Sequence, residues 1–352
     1  MHARHSIVAA PLAAILCAAA ACGSDRSPQP ERVFVSNETA GTVDIVDPAT
    51  GRVENQIAVG KRPRGLRLSR DGTRLFVALS GSPIAPPGVD ESTLPPPDRA
   101  ADGIGVVDLA TRTLLRTYPS GQDPEAFDLS PDGTVLYVSN EETAEKSVLD
   151  LRRGAVTARV PVGEEPEGVT VRPDGRVVYV TCEADNTVVA VDTTTLNAVA
   201  RIPTAPRPRS IVFTPDGRTM FVTGETGAAL TVVDVATHEV VGTVALTGPE
   251  DAPTPPRPMG AVLSRDATRL FVSNGRARSV AVIDVAARRQ IRTIADVGTR
   301  PWGIGISHDG RKLYTANGPS GDVAIVDVES GNVDRRVALG GSPWGIEVSP
   351  PR

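Results

Sequence analysis

One proline recurs seven times along the chain, at Pro63, Pro124, Pro166, Pro208, Pro258, Pro301 and Pro343, with steps of 61, 42, 42, 50, 43 and 42 residues. An aspartate keeps the same rhythm at Asp47, Asp108, Asp150, Asp192, Asp234, Asp284 and Asp327. Two independent markers with seven copies each identify a repeat of about 42 residues, which constrains the architecture before any single element is considered. The unit reads G-x-x-P-x-G, an alternating apolar run, S-P-D-G, L-Y-V-S-N, a short loop, V-x-V-V-D, then V-x-x-x-I-x-V-G. The alternating runs are half-buried strands. Pro-Asp-Gly is a tight turn in which Gly supplies positive φ. The Asp after each third run suits a turn whose side-chain oxygen accepts backbone N–H groups. Four short strands in such a unit make a propeller blade.

The ends of the chain decide how many blades there are. Residues 32–60 hold the second, third and fourth strands of a unit, and residues 343–350 hold a first strand alone. Counting from Pro343 to Arg352 and on from Arg32 to Pro63 gives a step of 41, the length of a repeat. The expected fold is therefore all-β: a seven-bladed β-propeller of four-stranded antiparallel blades, closed by a composite N-/C-terminal blade that leaves no open edge. The propeller is assigned to residues 32–352 and is expected to be a single chain. Composition agrees. Aromatics make up 3% of 352 residues, while 33 Gly and 31 Pro supply turns, so Val, Ile and Leu must build the core. A net charge of −5 gives no basic field for nucleic acid.

Residues 1–22 read as a signal peptide, with Arg4 ahead of an uncharged apolar run from Ile7 to Ala21. That run is too short to span a bilayer comfortably. It ends in Ala-Ala-Ala-Cys-Gly-Ser around Cys22, similar to a bacterial lipobox, although Ala19 stands where Leu is usual. Lipidation at Cys22 is expected; ordinary signal-peptidase cleavage at the same alanines is the alternative. Residues 23–31 read as a polar tether. The expected location is the periplasm or cell surface, with a lipid anchor as the sole membrane contact. After processing, Cys182 is left without a partner, and its apolar surroundings mark it as a small buried residue.

The segments Phe34-Val35-Ser36-Asn37, Tyr137-Val138-Ser139-Asn140 and Tyr179-Val180-Thr181-Cys182 resemble the signature of YVTN-type β-propellers. The stretches GKRPRGLRLSRDG, SGQDPEAFDLSPDG, VGEEPEGVTVRPDG and RPRSIVFTPDG look closest to the propeller associated with pyrroloquinoline-quinone-dependent alcohol catabolism. That resemblance implies a periplasmic accessory context rather than a particular reaction.

In a propeller the first strand of each blade lines the channel. The residue after each recurrent proline should then ring the mouth on the face, here called the top, that carries the second-to-third connections. These residues are Arg64, Glu125, Glu167, Arg209, Met259, Trp302 and Trp344. The two tryptophans are the only ones in the chain. A charged arc facing an aromatic arc is a default ligand site. The competing reading has the indoles plug the channel while Arg64 pairs with Glu125 and Glu167 with Arg209, as exposed pairs of little energetic weight. Two Pro-rich insertions, Ser80 to Asp102 and Thr247 to Arg257, open on the same face. Glu38, Glu141, Glu183 and Glu225 start top loops and read as solvated turn residues, with a divalent cation as the minority reading. His238 and His308 fall in bottom turns of different blades, so the top has no histidine for acid–base work. No haem-attachment motif, histidine-rich metal set or phosphate loop is found, and no cofactor is expected.

Three functions fit. The favoured one is a cell-envelope binding or accessory propeller, engaging a small organic ligand or an envelope protein partner. The second is a lactonase-like hydrolase, with Glu125 or Glu167 as base and Arg64 or Arg209 on the developing oxyanion. The third is an interaction scaffold without a ligand. A nucleic-acid role is disfavoured by the acidic balance.

Overall fold

The computed structural model describes residues 30–84, 89 and 93–351; the signal peptide, Cys22 and nearly all of the tether lie outside these. The described residues form seven four-stranded antiparallel sheets. Blades 1 to 6 run continuously from inner to outer strand, starting at Pro63, Pro124, Pro166, Pro208, Ala261 and Pro301. Blade 7 is composite: β28 (Pro343–Val348) pairs with β1 (Val33–Asn37), followed by β2 (Thr42–Asp47) and β3 (Arg52–Ala58). Its register places Val33 opposite Val348 and Val35 opposite Ile346. The seven-bladed, end-closed reading therefore holds.

Local chemistry explains the repeat. Each third-strand Asp accepts backbone N–H groups two or three residues on, as Asp150 does from Arg152 at 2.8 Å and Arg153 at 3.0 Å. In the S-P-D-G turns the serine hydroxyl donates to the Asp carboxylate, as Ser130 does to Asp132 at 2.6 Å. The core lies between blades. Val33, Val35 and Val46 of blade 7 pack on Tyr314, Val323 and Ile325 of blade 6, while Phe34, Val43 and Ile45 pack on Leu66, Leu75 and Val77 of blade 1. Alternation along each strand thus feeds two interfaces, which is why a chain poor in aromatics still buries its middle strands completely. Outer strands are largely exposed, as at Thr113–Tyr118. Cys182 is fully buried, as expected.

Candidate functional site

The mouth is built by a bulge, a latch and a tight seam. In six inner strands the ladder shifts register between the recurrent proline and the residue three places on, as between Pro124 and Phe127 or between Pro343 and Ile346. The residue after the proline is thereby released from regular pairing, and bulges of this kind re-aim side chains. A hydroxyl from the preceding blade then fixes its carbonyl. Ser36 donates to the Arg64 oxygen at 2.6 Å, Ser139 to Glu167 at 2.5 Å and Thr181 to Arg209 at 3.2 Å. Thr223 donates to Met259 at 2.8 Å and Ser273 to Trp302 at 2.7 Å. The Ser or Thr of the V-S-N motif is thus an inter-blade latch. Glycine follows in five of the seven copies because adjacent inner strands nearly touch; a Cβ on Gly345 would lie 2.6 Å from the Arg64 carbonyl oxygen.

The structure brings the expected ring residues together. Arg64 pairs with Glu125, and Arg209 with Glu167 at 3.0 Å. These pairs are not exposed: Glu125 is 0% and Glu167 6% accessible. The reading of Glu38, Glu141, Glu183 and Glu225 as solvated turn residues is also corrected, because loop closure turns all four carboxyls into the mouth. Glu38 bridges Arg62 at 3.2 Å and Arg64 at 3.1 Å. Glu183 engages Arg209 and lies 2.6 Å from Arg207, and Glu225 lies 2.8 Å from Arg209. Burial opposes the charge of Glu38 and Glu225, but the arginines outweigh it and hold both below the usual carboxylate range. Burial and the neighbouring Glu167 push Glu183 up to about 8. Breaking such a buried network by removing one partner leaves an uncompensated charge and is strongly destabilising.

Glu141 differs from its three counterparts. It is half-buried and carries no ion pair among the described residues. Burial, then Glu167, raises its pKa to about 7, against the pull of Arg64 and Arg209. Asp123, Glu125 and Glu141 bring carboxylate oxygens within 4.8 Å of one another. That spacing suits a hard cation, but Arg64 already engages Glu125, and Ser80, at the root of the first insertion, donates to Asp123.

Trp302 and Trp344 stack with centroids 5.8 Å apart and planes at 26°. Arg64 lies over Trp344 at 5.7 Å, and Arg209 and Arg300 over Trp302 at 5.7 and 4.5 Å. The charged and aromatic arcs of the mouth therefore meet within the protein itself. Both indoles line a channel cavity of about 550 Å³, whose walls include Leu66, Phe127, Ile211 and Ile304. Met259 lines it too, and is buried.

A second ring went unread in the sequence: the residue before each recurrent proline. Arg62, Asp123, Glu165, Arg207 and Arg300 all hold left-handed φ of 41–59° there, and Arg257 occupies the same place and reaches Glu225 at 3.5 Å. Six charged residues in seven copies was the available signal. His238 instead meets the Tyr179 hydroxyl at 3.0 Å, between the third and fourth strands of blade 4.

Comparison with known proteins places this geometry in a family. Residues 26–202 match the choice-of-anchor I domain, and residues 192–343 match the seven-bladed β-propeller lactonases. The seven-bladed beta-propeller protein Rv1057 of Mycobacterium tuberculosis is 30% identical over 126 residues, 35% of this chain and 28% of that protein. The chain spans only about a quarter of the length of the curated relatives it matches. The periplasmic gluconolactonase PpgL of Pseudomonas aeruginosa superposes with a TM-score of 0.71 at 20% identity, covering 90% of this chain and 98% of that one. A candidate 6-phosphogluconolactonase of Bacteroides fragilis gives 0.71 at 17% identity, covering 93% and 99%. At such identities the likeness is one of fold. With residues 26–202, half of its length, under the first model, the chain belongs to the choice-of-anchor I domain family, and over residues 192–343 it is similar to the seven-bladed β-propeller lactonases.

Proposed function

We propose that this propeller is a lactone hydrolase acting at its top mouth, with Glu141 as general base. The observation that carries this reading is Glu141 itself: a half-buried carboxyl, free of ion pairs among the described residues, with its pKa raised to about 7 beside two guanidinium groups. Ester hydrolysis needs a base poised near the working pH and a cation where the tetrahedral oxyanion forms. Glu141 would take a proton from the attacking water, whose oxygen bonds to the lactone carbonyl. The carbonyl electron pair would move onto oxygen facing Arg64, and the ring C–O bond would then break, with the proton passing to the leaving alkoxide. Glu125 and Glu167, the bases expected from sequence, are each tied to an arginine. The lactonase family match and the gluconolactonase fold neighbours support this class of reaction.

The test is turnover of glucono-δ-lactone and its 6-phosphate, followed by acid release above the spontaneous rate. The kcat/KM should rise through about pH 7 as Glu141 loses its proton, and Glu141→Gln should lower it at least ~100-fold, the scale of general-base catalysis. A folded protein that hydrolyses neither lactone refutes the reading.

A second reading is favoured by the stacked indoles beside the 550 Å³ cavity: an accessory binding protein of the cell envelope, set among alcohol-oxidising enzymes, which would bind without turnover. Both readings include export by residues 1–22 and a lipid anchor at Cys22. Membrane-associated protein that becomes soluble on Cys22→Ala is the expected outcome, and an unmodified mature N-terminus by mass spectrometry refutes the anchor.

A further inference from the structure

The carboxylate rim of the mouth is interrupted. The position that opens the second-to-third loop is Glu38 in blade 7, Glu141, Glu183 and Glu225 in blades 2 to 4, but Gly275 and Gly318 in blades 5 and 6. Over the same two blades the ring residues are Met259 and Trp302, with Trp344 of blade 7 next to them. An arginine on this arc meets no acid. Arg62, Arg64, Arg207, Arg209 and Arg257 each have a carboxylate within 4 Å. Arg300, half-buried and 4.5 Å over the Trp302 ring, has none among the described residues. Nor has Arg276, in the 3₁₀ turn Gly275–Ala277. Burial, then the like charge of Arg276, works against the protonated form of Arg300. Arg300 is thus held against an indole with the exposed Arg276 as a like charge, while Glu225 and Glu38 act on it only from beyond ion-pair distance. A guanidinium in that position recognises carboxylate or phosphate through paired N–H donors.

We propose that Arg300, backed by Arg276, anchors an oxyanion carried by the ligand, a carboxylate or a phosphate ester, with Trp302 as the platform beside it. The site goes beyond the hydrolase reading, and it rests on that reading only for the reaction, not for the binding. Arg300 and Glu141 lie on different arcs of the mouth, so one would hold the ligand's charge while the other serves its ring.

Trp302 and Trp344 are the only tryptophans, so intrinsic fluorescence reports on this place alone. Inorganic phosphate, gluconate and 6-phosphogluconate are titrated into the full chain at low ionic strength, with glucose as the neutral control. The oxyanions should change the emission and glucose should not. Phosphate and gluconate arms distinguish the two anion chemistries by their Kd. Arg300→Gln should weaken the tighter arm at least tenfold, Arg276→Gln about threefold, and Arg300→Lys should restore part of the loss, all with an unchanged Tm. In turnover, Arg300→Gln should raise KM for the 6-phosphorylated lactone about tenfold more than it raises KM for the neutral lactone. An Arg300→Gln protein that binds oxyanions like the wild type, or a wild type that binds none, overturns the anchor. Hydrolysis of neutral lactone alongside either result leaves the hydrolase reading standing; oxyanion binding through Arg300 without any lactone turnover supports the anchor and removes that reading.

Discussion

Lys146→Met should make this protein more stable at neutral pH. Lys146 is fully buried in the third strand of blade 2, and its ammonium has no hydrogen-bond partner. Among the described residues its compensating contact is the Tyr137 ring, 5.0 Å away. Burial brings the amine down from the usual 10.5 to about 8. Each unit corresponds to about 1.4 kcal/mol, so holding the charge inside costs about 3 kcal/mol at pH 7. The folded-state pKa is depressed, so the penalty is complete below pH 8 and is relieved as pH rises from about 8 towards 10.5, where the unfolded chain also loses the proton. Methionine keeps the length of the stem and removes the charge; it also removes the cation–π contact, worth about 1 kcal/mol. The net gain is about 2 kcal/mol at pH 7, or roughly 3 °C in Tm for a domain of this size. Thermal melts of both proteins at pH 7 and pH 10.5 test this, and only their difference matters, because burial and Glu31 also raise the pKa of Tyr314 and add an alkaline dependence of their own. A variant that melts lower at pH 7, or whose advantage does not shrink with pH, would refute the reasoning.

Two further perturbations probe closure and the mouth. Deleting residues 343–352 removes β28, its pairing with β1 and the contact of Glu347 with Arg67, exposing Val33 and Val35; the truncated protein should aggregate or lose several kcal/mol, and an unchanged Tm in soluble protein would disprove the composite blade. Trp344→Ala breaks the indole stack and removes the ring under Arg64; stability should fall by about 2 kcal/mol for a half-buried aromatic, measured by denaturant unfolding, and no loss would mean the stack has no structural role.

The repeat was legible because its signals act within a few residues. An Asp that caps its own turn, a Gly at positive φ and an alternating strand leave the same mark whatever the rest of the chain does. The same spacing revealed the ring of residues after the prolines and the closure of the two ends. The latch was legible in principle: Ser36, Ser139, Thr181, Thr223 and Ser273 occupy one column of the repeat, with Ala78 and Ala316 in the other two copies. Partner choice was not. Glu38 forms ion pairs with Arg62 and Arg64, whereas Glu141 forms none among the described residues, although both open the same kind of loop. That difference arises between side chains brought together from several blades, and it depends on distances of an ångström and on how deeply each carboxyl is withdrawn from water. The blade, the number of blades, the closure and the circle of residues at the mouth can be read from the residues alone, because these follow from short-range turn chemistry repeated in register. Which of those charges are neutralised and which, at Glu141 and Arg300, lack an ion pair emerges only in the folded ring, because electrostatic pairing there is set by long-range convergence and desolvation.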